Sequence, residues 1–250
     1  MTVVFHPRFI DSYKHDPAAA PERIEPVLKA LKGKFPFVEP DPAVEADLAL
    51  VHTTAHIERV KREPEVYEMA RLAAGGAIEA ARRAIQDDPS FALIRPPGHH
   101  ASPDSCWGFC YFNNLAISIR KLIQVKEIER AFILDFDLHH GDGTENAFCG
   151  STAVVYHHPE AAGRQDYIES VLRVLQEGNT FDILAVSAGF DRHENDWGGT
   201  LTTEDYRAIG RHVREAALRV CGGKRFGVLE GGYNHAVLGE NVRAFIEGME

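Results

Sequence analysis

The sequence predicts an α/β fold, a mostly parallel β-sheet with helices on both faces. Three observations carry this. Short apolar runs alternate with longer segments of helical periodicity. Several runs are apolar almost throughout, as strands covered on both faces are. Ionisable residues gather directly after those runs, where open α/β sheets bind their ligands. The chain has 250 residues, enough for one full-sized core. No linker, internal repeat or low-complexity segment divides it, so residues 1–250 are expected to form one domain.

The predicted strands are Val3-Val4-Phe5, Phe91 to Ile94, Ala131 to Asp137, Ala153 to Tyr156, Ile183 to Ser187 and Phe226 to Leu229. Between them, Val66 to Ile85 reads as an alanine-rich helix whose Ala73-Ala74-Gly75-Gly76 permits close packing on a sheet. Asn114 to Lys121 follows Asn113, a residue suited to capping. Gln165 to Gln176 places Ile168, Val171, Leu172 and Leu175 at helical spacing. Thr202 to Val220 opens on Thr202-x-x-Asp205, close to a capping box. The last helix carries Leu238, Val242, Phe245 and Met249 on one stripe.

Bulk composition excludes several function classes. With 27 basic and 37 acidic residues the formal net charge is −10, which argues against a nucleic-acid surface and permits a cationic substrate. No run of about 18 apolar residues suggests a membrane span, and the start lacks the features of a signal peptide. Four cysteines, none in a C-x-x-C pair, suit reduced thiols in a cytoplasmic protein.

The chemistry sits after the strands. RPPGHH brings His99 and His100. Ala131 to Phe136 is followed by Asp137, His139, His140 and Asp142. His157 and His158, then Asp191, then Tyr233 follow the next three strands. On a strand, Asp135, Asp137 and His139 share one face. Two carboxylates and an imidazole crowded together are costly to bury without a cation. A divalent metal resolves this, with Asp137, His139 and Asp191 as ligands and a position left open for water. Such a set suits zinc and leaves ferrous iron open. His99 and His100, held after two prolines, suggest an acid/base pair of differing charge, with Asp135 and Asp142 available to orient the rings.

Taken in order, RPPGHHA, GFCYFNN, DFDLHHGDGTE, SAGFD and EGGYN resemble the histone deacetylase family, the bacterial acetylpolyamine amidohydrolases and acetoin-utilisation proteins included. The resemblance spans nearly the whole chain. It implies a zinc-dependent removal of a short acyl group, such as acetyl, from an acyl-lysine or small-molecule amine. It implies that Asp137, His139 and Asp191 hold zinc and that His100 is the general base, later the acid. His99 would be the second, electrostatic histidine, with Asp135 and Asp142 behind His99 and His100. Tyr233 would polarise the amide carbonyl. Phe109 would form one aromatic wall of the substrate tunnel, and Gly108 and Gly232 would line it. An inner monovalent-cation site, usually potassium, is implied at Asp135 and the backbone of Asp137 and His139.

The chain also departs from that family. The segment between His158 and Ala185 is short, so the second aromatic wall is missing or comes from elsewhere. Trp197, in the unusual loop RHENDWGG, either closes or lines the opened pocket or covers a local apolar patch. His193 and Glu194 read as solvated. Val155-Tyr156-His157 stands where many members have serine before the leucine and histidine, which bears on the potassium shell. Two other readings make different demands on the sequence. An arginase-like binuclear hydrolase would need further Asp/His ligands, and a non-catalytic acyl-amine binding module would be expected to lose a ligand, the base or the tyrosine.

Overall fold

The computed structural model describes residues 1–176 and 179–250. Its strands are β1 (Thr2–Val4), β2 (Phe37–Val38), β3 (Ser90–Ala92), β4 (Ala131–Asp135), β5 (Val154–His157), β6 (Ile183–Ala188) and β7 (Arg225–Leu229). They form one sheet, all parallel, in the order β2-β1-β3-β7-β6-β4-β5. The helices are α1 (Pro21–Leu31), α2 (Glu45–Leu48), α3 (Thr54–Val60), α4 (Pro64–Ile85), α5 (Asn114–Gln124), α6 (Asp142–Ala147), α7 (Arg164–Gln176), α8 (Thr203–Val220) and α9 (His235–Met249). One group packs as α4 on α5; the other as α8 on α9, with α1 against α9 and α7 against α8. No described helix is long and apolar enough to cross a membrane.

The local signals act as their chemistry dictates. Asn113 accepts from the Ala116 amide and caps α5. Thr202 and Asp205 form the capping box of α8. Strands β3, β4, β6 and β7 are buried at every residue, which is why they read as continuous apolar runs. The sequence reading placed no element between Phe5 and Val66, where the structure has α1, β2, α2, α3 and the start of α4. Proline at the first turn of α1 and Pro26 in its interior obscure its period. Strand β2 is two residues long, too short to alternate.

Register brings the ends of β3, β7, β6 and β4 level. Ala92 pairs with Val228, Ser187 with Val228, and Asp135 with Ser187. Beneath these ends Phe136, Phe190, Tyr206 and Phe245 interlock, with ring centroids 5.0 Å apart for Phe136–Phe245 and 4.9 Å for Phe190–Tyr206. All four are fully buried, each phenylalanine contributing roughly 1.5–3 kcal/mol by burial. The loops above therefore stand on a rigid floor.

Candidate active site

The loops after four adjacent strands converge on one pocket. β3 supplies His99 and His100, β4 supplies Asp135 to Asp142, β6 supplies Asp191, and β7 supplies Tyr233. Strand β4 stops at Asp135, two residues earlier than the apolar run suggests. Carboxylates end it by capturing the next amides. Asp135 Oδ1 accepts from the Asp137 amide (3.1 Å), Asp137 Oδ1 from the His139 amide (2.9 Å), and Asp191 Oδ1 from the Leu138 amide (3.0 Å). Side-chain acceptors thus displace the strand ladder. Asp137 and His139 meet through this bend, not through strand alternation. His140 turns outward to Glu145 (3.1 Å).

Asp137, His139 and Asp191 bring one ligand atom each within 4.8 Å of the others. His139 Nδ1 lies 3.3 Å from Asp137 Oδ1 and 3.2 Å from Asp191 Oδ2. Asp191 Oδ2 is nonetheless buried without a hydrogen bond. Burial, helped by the Asp137 charge, pushes the Asp191 carboxyl up to about 6. Burial also opposes ionisation of Asp137, but the His99 charge and the bonds from His139 and Gly231 outweigh it and hold that carboxyl low. The hydrogen bond to Asp137 and the close Asp191 carboxylate raise the His139 ring to about 10. Two fully buried acids and an imidazole around one point, one acid oxygen unpartnered, fit a divalent cation. Gly189 and Gly231 make the room: a Cβ on either would stand 1.9 Å and 2.5 Å from Asp137 Oδ2.

The tandem histidines are held differently. His99 is buried, with Nδ1 3.1 Å from Asp135 Oδ2. Burial opposes its charge, but Asp137 and Asp135 outweigh burial and raise its pKa well above that of a free imidazole. Burial and the neighbouring His99 push His100 down to about 4, with Asp142 pulling the other way. His100 Nδ1 lies 2.7 Å from Asp142 Oδ1. The two rings are thus pushed in opposite directions, His99 toward the charged form and His100 toward the neutral one, with centroids 4.1 Å apart.

A pocket of about 200 Å³ opens over these groups, walled by Trp107, Phe109, Trp197 and Tyr233. Gly108 and Phe109 both adopt positive φ (58° and 64°), which aims the Phe109 ring at Tyr233, 5.9 Å away and edge-on. Trp197 stacks on Tyr233 at 4.1 Å and forms a wall of the pocket. Burial raises the Tyr233 phenol and keeps it a proton donor. Gly232, expected to line the pocket, is not among the residues that wall it. It has φ 116°, and a Cβ there would meet Leu238 (2.7 Å) and Phe190 (3.1 Å). His193, expected in solvent, is buried against Tyr206 and accepts from the Asn195 amide (3.1 Å).

Several supporting residues escaped the sequence reading. Trp107 Nε1 donates to Asp142 Oδ2 (2.9 Å) while its ring covers His100 at 3.8 Å. Asp196 accepts from the Tyr233 and Asn234 amides (2.8 Å each). Arg23 donates to Gly232 O (2.7 Å) and Glu230 O and lies over the Tyr233 ring at 5.3 Å. Glu230 Oε2 accepts from the Gly98 and His99 amides (2.7 and 3.2 Å), fastening the histidine loop. Their partners lie far away in the chain, so no local pattern marks them. His99, Cys110 and Glu230 also gather three donor atoms. However, Cys110 Sγ already accepts from the His100 amide (3.4 Å), and Glu230 is already engaged by amides and by Ser187 Oγ (3.2 Å).

A model of the histone deacetylase domain matches residues 17–159 and 156–249. A probable deacetylase of Methanothermobacter thermautotrophicus is 30% identical over 304 aligned positions, covering 99% of this chain and 90% of that one. The histone deacetylase-like amidohydrolase of Pseudomonas aeruginosa is 30% identical over 84% of this chain and 69% of its own. The crystal structure of the HDA15 HD domain shares the fold, with a TM-score of 0.85 at 24% identity over 98% of this chain and 87% of that chain. The two matched stretches meet at residues 156–159, where the shortened segment begins. With a family match across most of its length and motifs gathered at one pocket, the chain belongs to the histone deacetylase family.

Proposed function

We propose that the protein is a metal-dependent amidohydrolase that removes a short acyl group, acetyl first, from an amine. The observation that carries this is His100, its Nδ1 held by Asp142, set beside the Asp137–His139–Asp191 group with Tyr233 across the same pocket. Zinc, or ferrous iron, held by these three residues would supply a Lewis acid and lower the pKa of a water.

The chain's own residues do the rest. His100 Nε2, free of the Asp142 bond at Nδ1, takes a proton from the attacking water and returns it to the leaving amine, a role worth roughly 10²–10⁴ in rate. His99 stays charged and keeps His100 neutral until then. The Tyr233 hydroxyl donates to the carbonyl oxygen as negative charge builds there. Such a donor is worth about 2.7–4 kcal/mol. Phe109 and Trp197 flank the acyl-amine stem, and Trp197 supplies the second aromatic wall that the shortened segment does not. The substrate class is an acyl-lysine or acylated polyamine, which the net negative charge favours. Free thiols suit a reducing compartment such as the cytoplasm.

The test is hydrolysis of acetylated lysine peptides and acetylated polyamines by zinc-loaded protein. Acetate release is expected. Tyr233→Phe should lower kcat roughly 10²–10³-fold with metal content unchanged. Zinc-loaded protein inert on every acylated amine would overturn the reading.

A further inference from the structure

The family resemblance places a potassium ion at Asp135 and the carbonyls beneath the metal-ligand bend. The residues present fit one poorly, because the Asp135 carboxylate and the Asp137 carbonyl already have partners. Asp135 Oδ2 accepts from the Tyr156 hydroxyl (3.1 Å) and faces His99 Nδ1 (3.1 Å), while Oδ1 accepts from the Asp137 amide. The Asp137 and Leu138 carbonyls are taken by Arg192. Its Nε donates to Asp137 O (3.3 Å) and its Nη2 to Leu138 O (3.2 Å).

Arg192 is itself unusual. It directly follows the ligand Asp191, yet its side chain turns under the bend and is buried. Its guanidinium covers the Tyr167 ring at 4.4 Å, and Tyr167 in turn donates to Phe136 O (3.2 Å). Three successive carbonyls, those of residues 136, 137 and 138, are thus bound by side chains from α7 and from the loop after β6. Among the described residues no carboxylate forms an ion pair with Arg192. Its charge is met by carbonyl dipoles, by His158 Nε2 (3.5 Å from Nη2) and by an aromatic face, surroundings that a weakly hydrated planar cation accepts. A second cation among the same carbonyls would meet that charge at close range.

We infer that the Arg192 guanidinium is this chain's built-in substitute for a monovalent cation, a positioning group that holds the Asp137–His139 bend in its metal-ligating shape. The protein therefore has no potassium requirement. This rests on the family assignment and the geometry, not on the amidohydrolase reading, and both readouts below work on an inactive protein.

The experiment compares thermal unfolding and zinc affinity of zinc-loaded wild type, Arg192→Lys and Arg192→Ala in potassium, sodium and tetramethylammonium chloride at one ionic strength. Wild type should give the same Tm in all three salts. Arg192→Ala should have a lower Tm and roughly 10–100-fold weaker zinc binding, with both partly restored by potassium and not by tetramethylammonium. Arg192→Lys should fall between and show no potassium dependence. A wild-type Tm that rises in potassium over tetramethylammonium would overturn the inference. So would Arg192→Ala with wild-type zinc affinity, or a loss that no cation restores. If Arg192→Ala does not fold, the wild-type salt comparison and the Arg192→Lys affinity decide.

Discussion

Trp107 is about half exposed (55%), yet it is tied to the proton-transfer pair by two contacts. Its indole N–H holds the outer oxygen of Asp142 while its ring lies on His100. Trp107→Phe keeps the ring and loses the bond. A hydrogen bond to a charged group is worth about 1.5–3 kcal/mol. Allowing for exposure, kcat should fall roughly tenfold with KM little changed, which steady-state kinetics will show. A second residue-scale effect lies away from the pocket. His52 Nδ1 faces Ser102 O (3.0 Å) and its Nε2 accepts from the Asn113 amide (2.9 Å). A proton on Nε2 would set N–H against N–H. Burial, with His56 nearby, pushes His52 down to about 3. The folded state therefore stays neutral while the unfolded state charges below about pH 6.5. Stability is lost as pH falls from there toward 3, by up to about 1.4 kcal/mol per pH unit from this site. Denaturant unfolding at pH 7 and pH 5 checks it, and His52→Gln should flatten the slope.

At the scale of elements, the site depends on where strands stop and how closely the next turns approach. Asp137 sits between the turns after β6 and β7, which come near only because Gly189 and Gly231 lack a Cβ. Gly189→Ala should displace the Asp137 carboxylate and reduce bound metal well below one equivalent, measured by elemental analysis, before it costs much secondary structure by circular dichroism. The element pattern was legible wherever a segment was long and periodic or short and wholly apolar: α4, α5, α7, α8, α9 and six of the seven strands carry such signals. It was not legible for α1, with proline at its start and inside it, or for β2, which exists only because β1 lies beside it.

For the whole molecule, the three candidate ligands come from loops after β4 and β6, so a cation bound there would tie two crossovers together. A ligand that binds only the folded state stabilises it by about 2.7 kcal/mol at a hundredfold excess over Kd, roughly 5–10 °C in Tm for a chain of this size. Zinc should raise Tm by that order and chelator should reverse it. Asp137→Ala should bind no metal and show no shift. That Asp137, His139, Asp191, His99 and His100 would gather in one place was legible because each follows an apolar run, and parallel strands deliver such residues to one edge of the sheet. Tyr233 and Asp142 were readable for the same reason. What local order could not show is how these loops are braced. Trp107 on Asp142, Asp196 on the Tyr233 turn, Arg23 under Gly232, Glu230 behind the histidines and Arg192 beneath the bend are all contacts between segments distant in the chain or between loops. By itself, then, the sequence determined the fold class and most of its strands, the edge that carries the chemistry and the side chains that could bind a metal, since periodicity and strand ends are local properties. Only the tertiary structure decided which acceptors were already engaged and which rings walled the pocket, since those depend on strand order and on packing between loops that no local pattern encodes.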